Sequence, residues 1–177
     1  MATNRGKINI LVYCYLVPKT GENFLELCES GYYNNTPFHR LVKDFCLQGG
    51  DPTGTGTGGN SIFERVFEDE FSEQLSHNKP GMVSMANSGP DTNLSQFFIT
   101  LAECKQLDKK HTVFGEVIEG QSVLFSINKN ASSKSEKPKE ELFIEKMTCY
   151  ENPYRKVIQE LKEAYKKGQT DVEGIEK

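Results

Sequence analysis

"TPFHRLVKDFCLQGGDP", residues Thr36–Pro52, decides how the rest of the chain is read. It sets His39, Arg40, Cys46, Gln48 and Asp51 among Phe38, Leu41, Val42, Phe45 and Leu47. A segment that only filled a core has no use for a fixed cation or a carboxamide, because burying either without partners costs free energy. A binding surface, by contrast, needs an apolar floor and a few aimed donors. The stretch therefore reads as extended chain with one face turned to a ligand. Arg40 and Gln48 stand at even separation and share a face if the strand is uninterrupted. Phe45 is at odd separation from both, so only a bulge or turn near Lys43–Asp44 can bring it to the same surface.

Outward from that stretch, the pattern is of short strands. "KINILVYCYL" places Ile8, Ile10, Val12 and Cys14 on one alternating face, the mark of a half-buried strand. "PKTGENFLELCESGYY" changes to helical spacing, with Thr20 as candidate cap, Phe24, Leu25 and Cys28 on one face and Gly31 as the stop. "DPTGTGTGGNS" is a glycine-rich exposed loop, and Lys79–Gly81 is a turn signal. "MVSMAN", "SQFFITL", "TVFGEVIEG" and "LFIEKMTCY" are further strands, and "QSVLFSINKN" is a second helix through Val123, Leu124 and Ile127. Seven or eight strands with two body helices predict an all-β fold, a closed antiparallel barrel. Residues 1–152 form that domain. Residues 153–177 form a tail, in which Tyr154, Val157, Ile158, Leu161 and Tyr165 make an amphipathic helix broken at Gly168, with a disordered end from Thr170. The apolar stripe of this helix either packs on the barrel or meets a partner or a second copy.

The totals narrow the function. In 177 residues, 21 basic side chains face 25 acidic ones, a formal charge of −4. That balance gives no support for direct nucleic-acid binding, and no apolar run approaches a membrane span. Five widely spaced cysteines, Cys14, Cys28, Cys46, Cys104 and Cys149, read as free thiols of a reducing compartment, the cytoplasm or the nucleus. "GTGTGG" lacks the Gly-Lys-Ser/Thr ending of a phosphate-binding loop. His39, His77 and His111 have no metal-ligand spacing, and Ser95 has no nucleophile-elbow context. Neither metal nor cofactor is expected. Cys46 reads as an apolar side chain in a pocket wall rather than an activated thiolate.

Two constellations remain, "FHRLVKDFCLQGGD" and "MANSGPDTNLSQFFITL". Together with "LDKKHTVFGEV" they closely resemble the cyclophilin family over about Lys7–Cys149. Within it, "GGDPTGTGTGGNS" and "ENPY" are similar to spliceosome-associated members and to the isomerase domain of U-box cyclophilins. No U-box segment lies in these residues, and no ubiquitin-ligase role is implied. The resemblance implies an eight-stranded antiparallel barrel capped by two helices, and peptidyl-prolyl cis–trans isomerase activity on X–Pro bonds. Folding or remodelling of protein complexes would follow. By motif position the family's catalytic arginine falls on Arg40, and Gln48 orients it or holds the substrate carbonyl. The proline pocket falls on Phe45, Cys46, Phe98, Leu107 and His111. Gln48, Ala86, Asn87 and Gln96 fall where the family grips the substrate backbone, and Gly56 borders the groove. In "FF", Phe97 is assigned to the core and Phe98 to the groove.

The sequence departs from well-known cyclophilins where Cys46 replaces a frequent methionine and Gln106 a frequent tryptophan. Losing the indole removes apolar area and an N–H donor, so weakened cyclosporin binding is expected. Glu64, where glycine is frequent, falls with Arg65, Val66 and Ser88 near the secondary pocket and should narrow sequence preference. The implied partners are proline-containing protein segments, with spliceosomal proteins as candidates. The rival reading is a proline-binding adaptor of a nuclear complex with little turnover.

Overall fold

The computed structural model of the chain describes residues 1–132 and 135–173, with side chains through 166. In chain order the elements are β1 (Ala2–Thr3), β2 (Gly6–Lys7), β3 (Asn9–Val12), α1 (Pro18–Glu29), β4 (Thr36–Pro37), β5 (Arg40–Val42), β6 (Cys46–Gly49), β7 (Met82–Met85), β8 (Phe97–Thr100), β9 (Val113–Glu119), α2 (Gln121–Lys129), β10 (Phe143–Lys146) and α3 (Pro153–Glu173). A short 3-10 turn covers Lys105–Leu107. The strands form two antiparallel sheets, β2-β1-β10-β4 and β3-β9-β7-β8-β6-β5. Ten short strands thus stand where eight were expected, and neither ladder closes on itself among the described residues.

Alternation along the central strands divides core from surface. Leu41, Leu47, Ile99 and Val83 lie opposite one another across β5, β6, β8 and β7, and all are buried. α1 closes the interior from one side. Its Phe24 ring meets Phe97 edge-on at 5.4 Å and packs against Tyr33 and Phe114 at 5.5 and 4.8 Å. α2 adds Leu124 and Ile127 from the other end. Such aromatic contacts supply both area and geometry.

Several expectations need correction. Thr36–Pro52 is a hairpin, not one strand: β5 and β6 are joined by a tight turn in which Asp44 has φ +54° and the Phe45 amide donates to the Val42 carbonyl at 3.1 Å. Asp tolerates the left-handed region because its short side chain bonds locally. Thr20 does not cap α1. The helix starts two residues earlier, with Pro18 in the first turn, where a missing N–H costs nothing. Thr20 instead donates its hydroxyl and amide to Glu70, both at 2.7 Å. Gly31 does end the helix, at φ +76°.

α3 runs through Gly168 to Glu173. Glycine weakens a helix interior by about 1 kcal/mol but leaves its hydrogen bonds intact, so it need not end one. Of the expected disordered end, residues 170–173 are helical and 174–177 lie outside the described residues. The base of α3 is anchored: the Tyr154 hydroxyl lies 2.7 Å from the Pro18 carbonyl, and Arg155 pairs with Glu26 and Glu29. Beyond it Val157, Ile158, Leu161 and Tyr165 are exposed, so the stripe does not pack on the body.

Phe97 is fully buried among Phe24, Tyr33 and Phe38. Phe97→Ala should cost about 3–5 kcal/mol, read from equilibrium urea unfolding.

Candidate active site

The hairpin puts Arg40 directly opposite Gln48, and the same register carries on: Gln48 faces Phe98 and Phe98 faces Ser84. These four side chains therefore lie in file on the face away from Leu41, Leu47, Ile99 and Val83. Arg40 and Gln48 share a face because their strands pair across the turn, not because one strand carries both. Cys46 is two residues from Gln48, on the same face. Phe45 sits half-buried in the turn, its carbonyl accepting from the Leu101 amide at 2.8 Å.

Arg40 is held from two sides. Its Nε donates to Glu136 at 2.8 Å, and Nη1 reaches Gln48 Oε1 at 3.4 Å and Cys46 Sγ at 3.6 Å. The Glu136 carbonyl also accepts from the Leu41 amide at 2.6 Å, so the segment after α2 is tied to β5. The Glu136 bond raises the guanidinium pKa further above its ordinary value, and Arg40 in turn lowers that of Glu136. Burial pushes the Cys46 thiol up to about 11, with Arg40 only partly opposing. It is protonated at neutral pH and is not a nucleophile.

Gln48 Nε2 donates to Gln96 Oε1 at 3.0 Å, and Gln96 Nε2 donates to the carbonyls of Gly56 and Gly58 at 3.0 and 2.8 Å. Those carbonyls are delivered by the glycine-rich loop, which folds over Asp51. The Asp51 carboxylate accepts from the amides of Thr53, Gly56 and Gly58 at 2.8–3.1 Å. Burial opposes its charge, but the bonds from Thr53, Gly58 and Gly56 outweigh it and hold the pKa down to about 2. Gly58 is required there: a Cβ would meet Asp51 Oδ1 at 2.4 Å.

Phe98 is only 5 % exposed, yet it lies outside the core cluster. It is covered by histidines on the outer face, stacking on His77 at 5.9 Å and meeting His111 edge-on at 5.4 Å. His77 bridges Asp108 (2.7 Å) and Ser84 (3.1 Å), while His111 Nδ1 lies 3.0 Å from the Met85 carbonyl.

The remaining residues border this face. The Ala86 amide donates to the Gln96 carbonyl, Asn87 Nδ2 donates to the Lys110 carbonyl at 2.9 Å, and the exposed Ser88 donates its amide to Thr92. Gln106 is exposed and Leu107 half-buried on the 3-10 turn. Glu64, with Arg65 and Val66 exposed, has φ +57°, a conformation that favours glycine. Sequence reasoning missed Glu136, Asp51 and His77 as structural parts of this face. Only the Asp followed by Thr-Gly repeats carried a local signal, that of a side chain capping a turn. Among the described residues, no group of three or more His, Cys, Asp and Glu is placed to hold a metal ion, and no helix is long and apolar enough to cross a membrane.

The model for cyclophilin-type peptidyl-prolyl cis–trans isomerases matches residues 1–149, and the chain belongs to that family. Its relatives include human "Peptidyl-prolyl cis-trans isomerase-like 3", 52 % identical over 153 residues that cover 86 % of this chain and 95 % of the relative. "Peptidyl-prolyl cis-trans isomerase 4" of Caenorhabditis elegans is 55 % identical over 129 residues, 73 % of this chain and 25 % of that protein. A crystal structure of the cyclophilin-type isomerase of Cryptosporidium parvum, in the presence of the dipeptide Ala-Pro, superposes with a TM-score of 0.82 at 43 % identity, covering 86 % of this chain and 98 % of that one. The protein is a peptidyl-prolyl cis–trans isomerase, and its substrates are proline-containing peptides.

Burial lowers the pKa of His39, His77 and His111 below the ordinary histidine value of 6.5. The unfolded chain then binds more protons than the folded one as pH falls through 6.5, and stability falls with it. The depressed carboxylates Asp51 and Asp108 act separately, below about pH 4. The urea midpoint should decrease from pH 8 to pH 5.5. A flat profile there would contradict this assignment.

Proposed function

We propose that Arg40 is the catalytic residue and that Gln48 positions it. The uncatalysed peptide bond resists rotation by roughly 18–20 kcal/mol because resonance makes C–N partly double. No bond breaks in the isomerisation, so neither nucleophile nor cofactor is required. In the twisted transition state the proline nitrogen becomes pyramidal and regains a lone pair. A guanidinium held at that nitrogen donates to it there and gains little from the planar ground state, which is differential transition-state binding.

The observation that carries the reading is the two-sided hold on Arg40. Glu136 takes Nε and Gln48 and Cys46 take one edge of Nη1. Among the described residues no partner takes Nη2, which leaves that end of a rigid fork for the substrate. Phe98, Phe45, Cys46, Leu107 and His111 would hold the pyrrolidine ring. Gln96, Ala86, Asn87 and Gly56 would grip the flanking backbone as a short added strand, with Ser88 and Gln106 at its ends.

Residues 1–152 would form the isomerase domain and 153–177 an attached helical tail. The two sheets would together make up the eight-stranded barrel of the family, with β2–β3 and β4–β5 as segments of two longer strands. Action on proline segments of a nuclear, spliceosomal complex is the cellular role best in keeping with the sequence resemblance and the five free thiols.

Arg40→Ala should lower kcat/KM by about 10²–10³-fold, the usual loss of one aimed donor. Exchange spectroscopy on an Ala-Pro peptide reads it, and Arg40→Lys should not restore the rate. Catalysed exchange that survives Arg40→Ala would sink the assignment. The exposed Gln106 should leave cyclosporin with a dissociation constant weaker than about 1 μM by calorimetry.

A further inference from the structure

One face of Phe98 rests on a ring that never meets solvent. His77 is fully buried in the segment before β7, and its plane lies within 11° of the Phe98 plane at 5.9 Å. A leucine there would supply similar contact without the cost of burying two ring nitrogens. Both nitrogens are instead used. Nδ1 lies 2.7 Å from Asp108 Oδ1, and the same oxygen accepts from the His77 amide at 2.8 Å. A carboxylate only accepts, so Nδ1 carries the proton. Burial lowers the ring's pKa and keeps it neutral at pH 7, which makes Nε2 an acceptor. Ser84 Oγ lies 3.1 Å from Nε2 and 2.8 Å from the Thr112 carbonyl oxygen, holding its one proton between the two.

These bonds reach the segments that carry the other walls of the pocket. The His77 carbonyl accepts from the Cys104 amide at 2.8 Å. Cys104 and Asp108 stand on either side of the 3-10 turn Lys105–Leu107, so both ends of that turn are tied to one residue. The turn places Leu107, whose carbonyl accepts from the His111 amide at 3.2 Å. On the far side, the Thr112 carbonyl collects the Ser84 hydroxyl and the Met85 amide. The Met85 carbonyl in turn lies 3.0 Å from His111 Nδ1. Phe98 by stacking, Leu107 through Asp108, and His111 through Ser84 and Thr112 all take their places from one imidazole.

We propose that His77 is a positioning residue that sets the width of the proline pocket, by fixing Phe98 on one side against the Leu107–His111 segment on the other. Being fully buried, it touches no substrate. This role rests on the reading that Phe98, Leu107 and His111 hold the pyrrolidine ring, and it asks nothing of Arg40. A fully bonded polar cluster imposes one arrangement on the side chains around it, where apolar packing alone tolerates several. The proline ring occupies the same slot in the ground and transition states, so a looser slot raises KM and leaves kcat. It also admits a larger ring more readily. One methylene in an apolar pocket is worth about 10–200-fold in discrimination. A slot of fixed width therefore favours proline over its six-membered homologue, pipecolic acid.

The test measures KM and kcat of the full chain and its variants on an Ala-Pro peptide and on the same peptide with pipecolic acid in place of proline. His77→Leu keeps the volume and removes every polar bond of the ring. Asp108→Ala removes the acceptor and leaves the stack. Each should raise KM for the proline peptide about tenfold, leave kcat within about twofold, and cut the preference for proline about fivefold or more. Asp108→Asn keeps an accepting oxygen and should restore both KM and preference. Unchanged KM and preference in Asp108→Ala overturns the role of His77, and so does a fall in kcat alone. Asp108→Asn behaving like Asp108→Ala overturns it too, because charge rather than placement then matters. Where His77→Leu fails to fold, Asp108→Ala decides. Phe98→Ala separates the two readings. KM unmoved there means that Phe98 does not line the pocket, and His77 loses its role with it. KM raised there but unmoved in Asp108→Ala overturns His77 alone.

Discussion

The register of β5, β6, β8 and β7 is the constraint on which the rest depends. One line across these strands, Leu41, Leu47, Ile99 and Val83, is buried in the core, and the next line, Arg40, Gln48, Phe98 and Ser84, lies on the opposite face. A slip of one residue in β5 would exchange its two faces and bury a guanidinium, and a slip in β6 or β8 would turn Gln48 or Phe98 to the other side. The apolar set thus fixes the address of the arginine. The cost of burying its charge without a partner guards that address.

Once placed, the outer line is held by groups far away in sequence. Glu136 reaches Arg40 from the segment after α2, and the glycine loop over Asp51 presents two carbonyls to Gln96, which holds Gln48. The loop is rigid because one carboxylate collects several backbone donors, the arrangement that also keeps Asp51 ionised to about pH 2. His77 and His111 cover Phe98 on the outer side. Its ring is therefore buried without belonging to the core. Isomerisation asks for little chemistry but for a fixed geometry, and most of this machinery is geometric.

Two neighbouring parts of the molecule, α3 and β3, show different kinds of unpaired surface. α3 is tied down at its first turn by Tyr154 and Arg155, and then carries Val157, Ile158 and Leu161 outward. Near its base, β3 leaves backbone rather than side chains unpaired. Neither feature touches the Arg40 face. Both lie where the N-terminal strands and the C-terminal helix meet.

By itself the sequence determined the alternating strands, the two body helices, the amphipathic tail and, through "FHRLVKDFCLQGG" with "SQFFITL", the family. These are local patterns of period two or 3.6 and need only neighbouring residues to be read. The tertiary structure alone decided that Arg40 and Gln48 meet across a hairpin, that Glu136 and Asp51 brace them, and that β3 has an open edge. The sequence left a bulge or a turn open at Lys43–Asp44, because Lys-Asp-Phe lacks the glycine that usually marks a hairpin, and the structure has the turn. The bracing escaped because a hydrogen bond between residues 96 positions apart, as between Arg40 and Glu136, leaves no mark on the sequence near either partner.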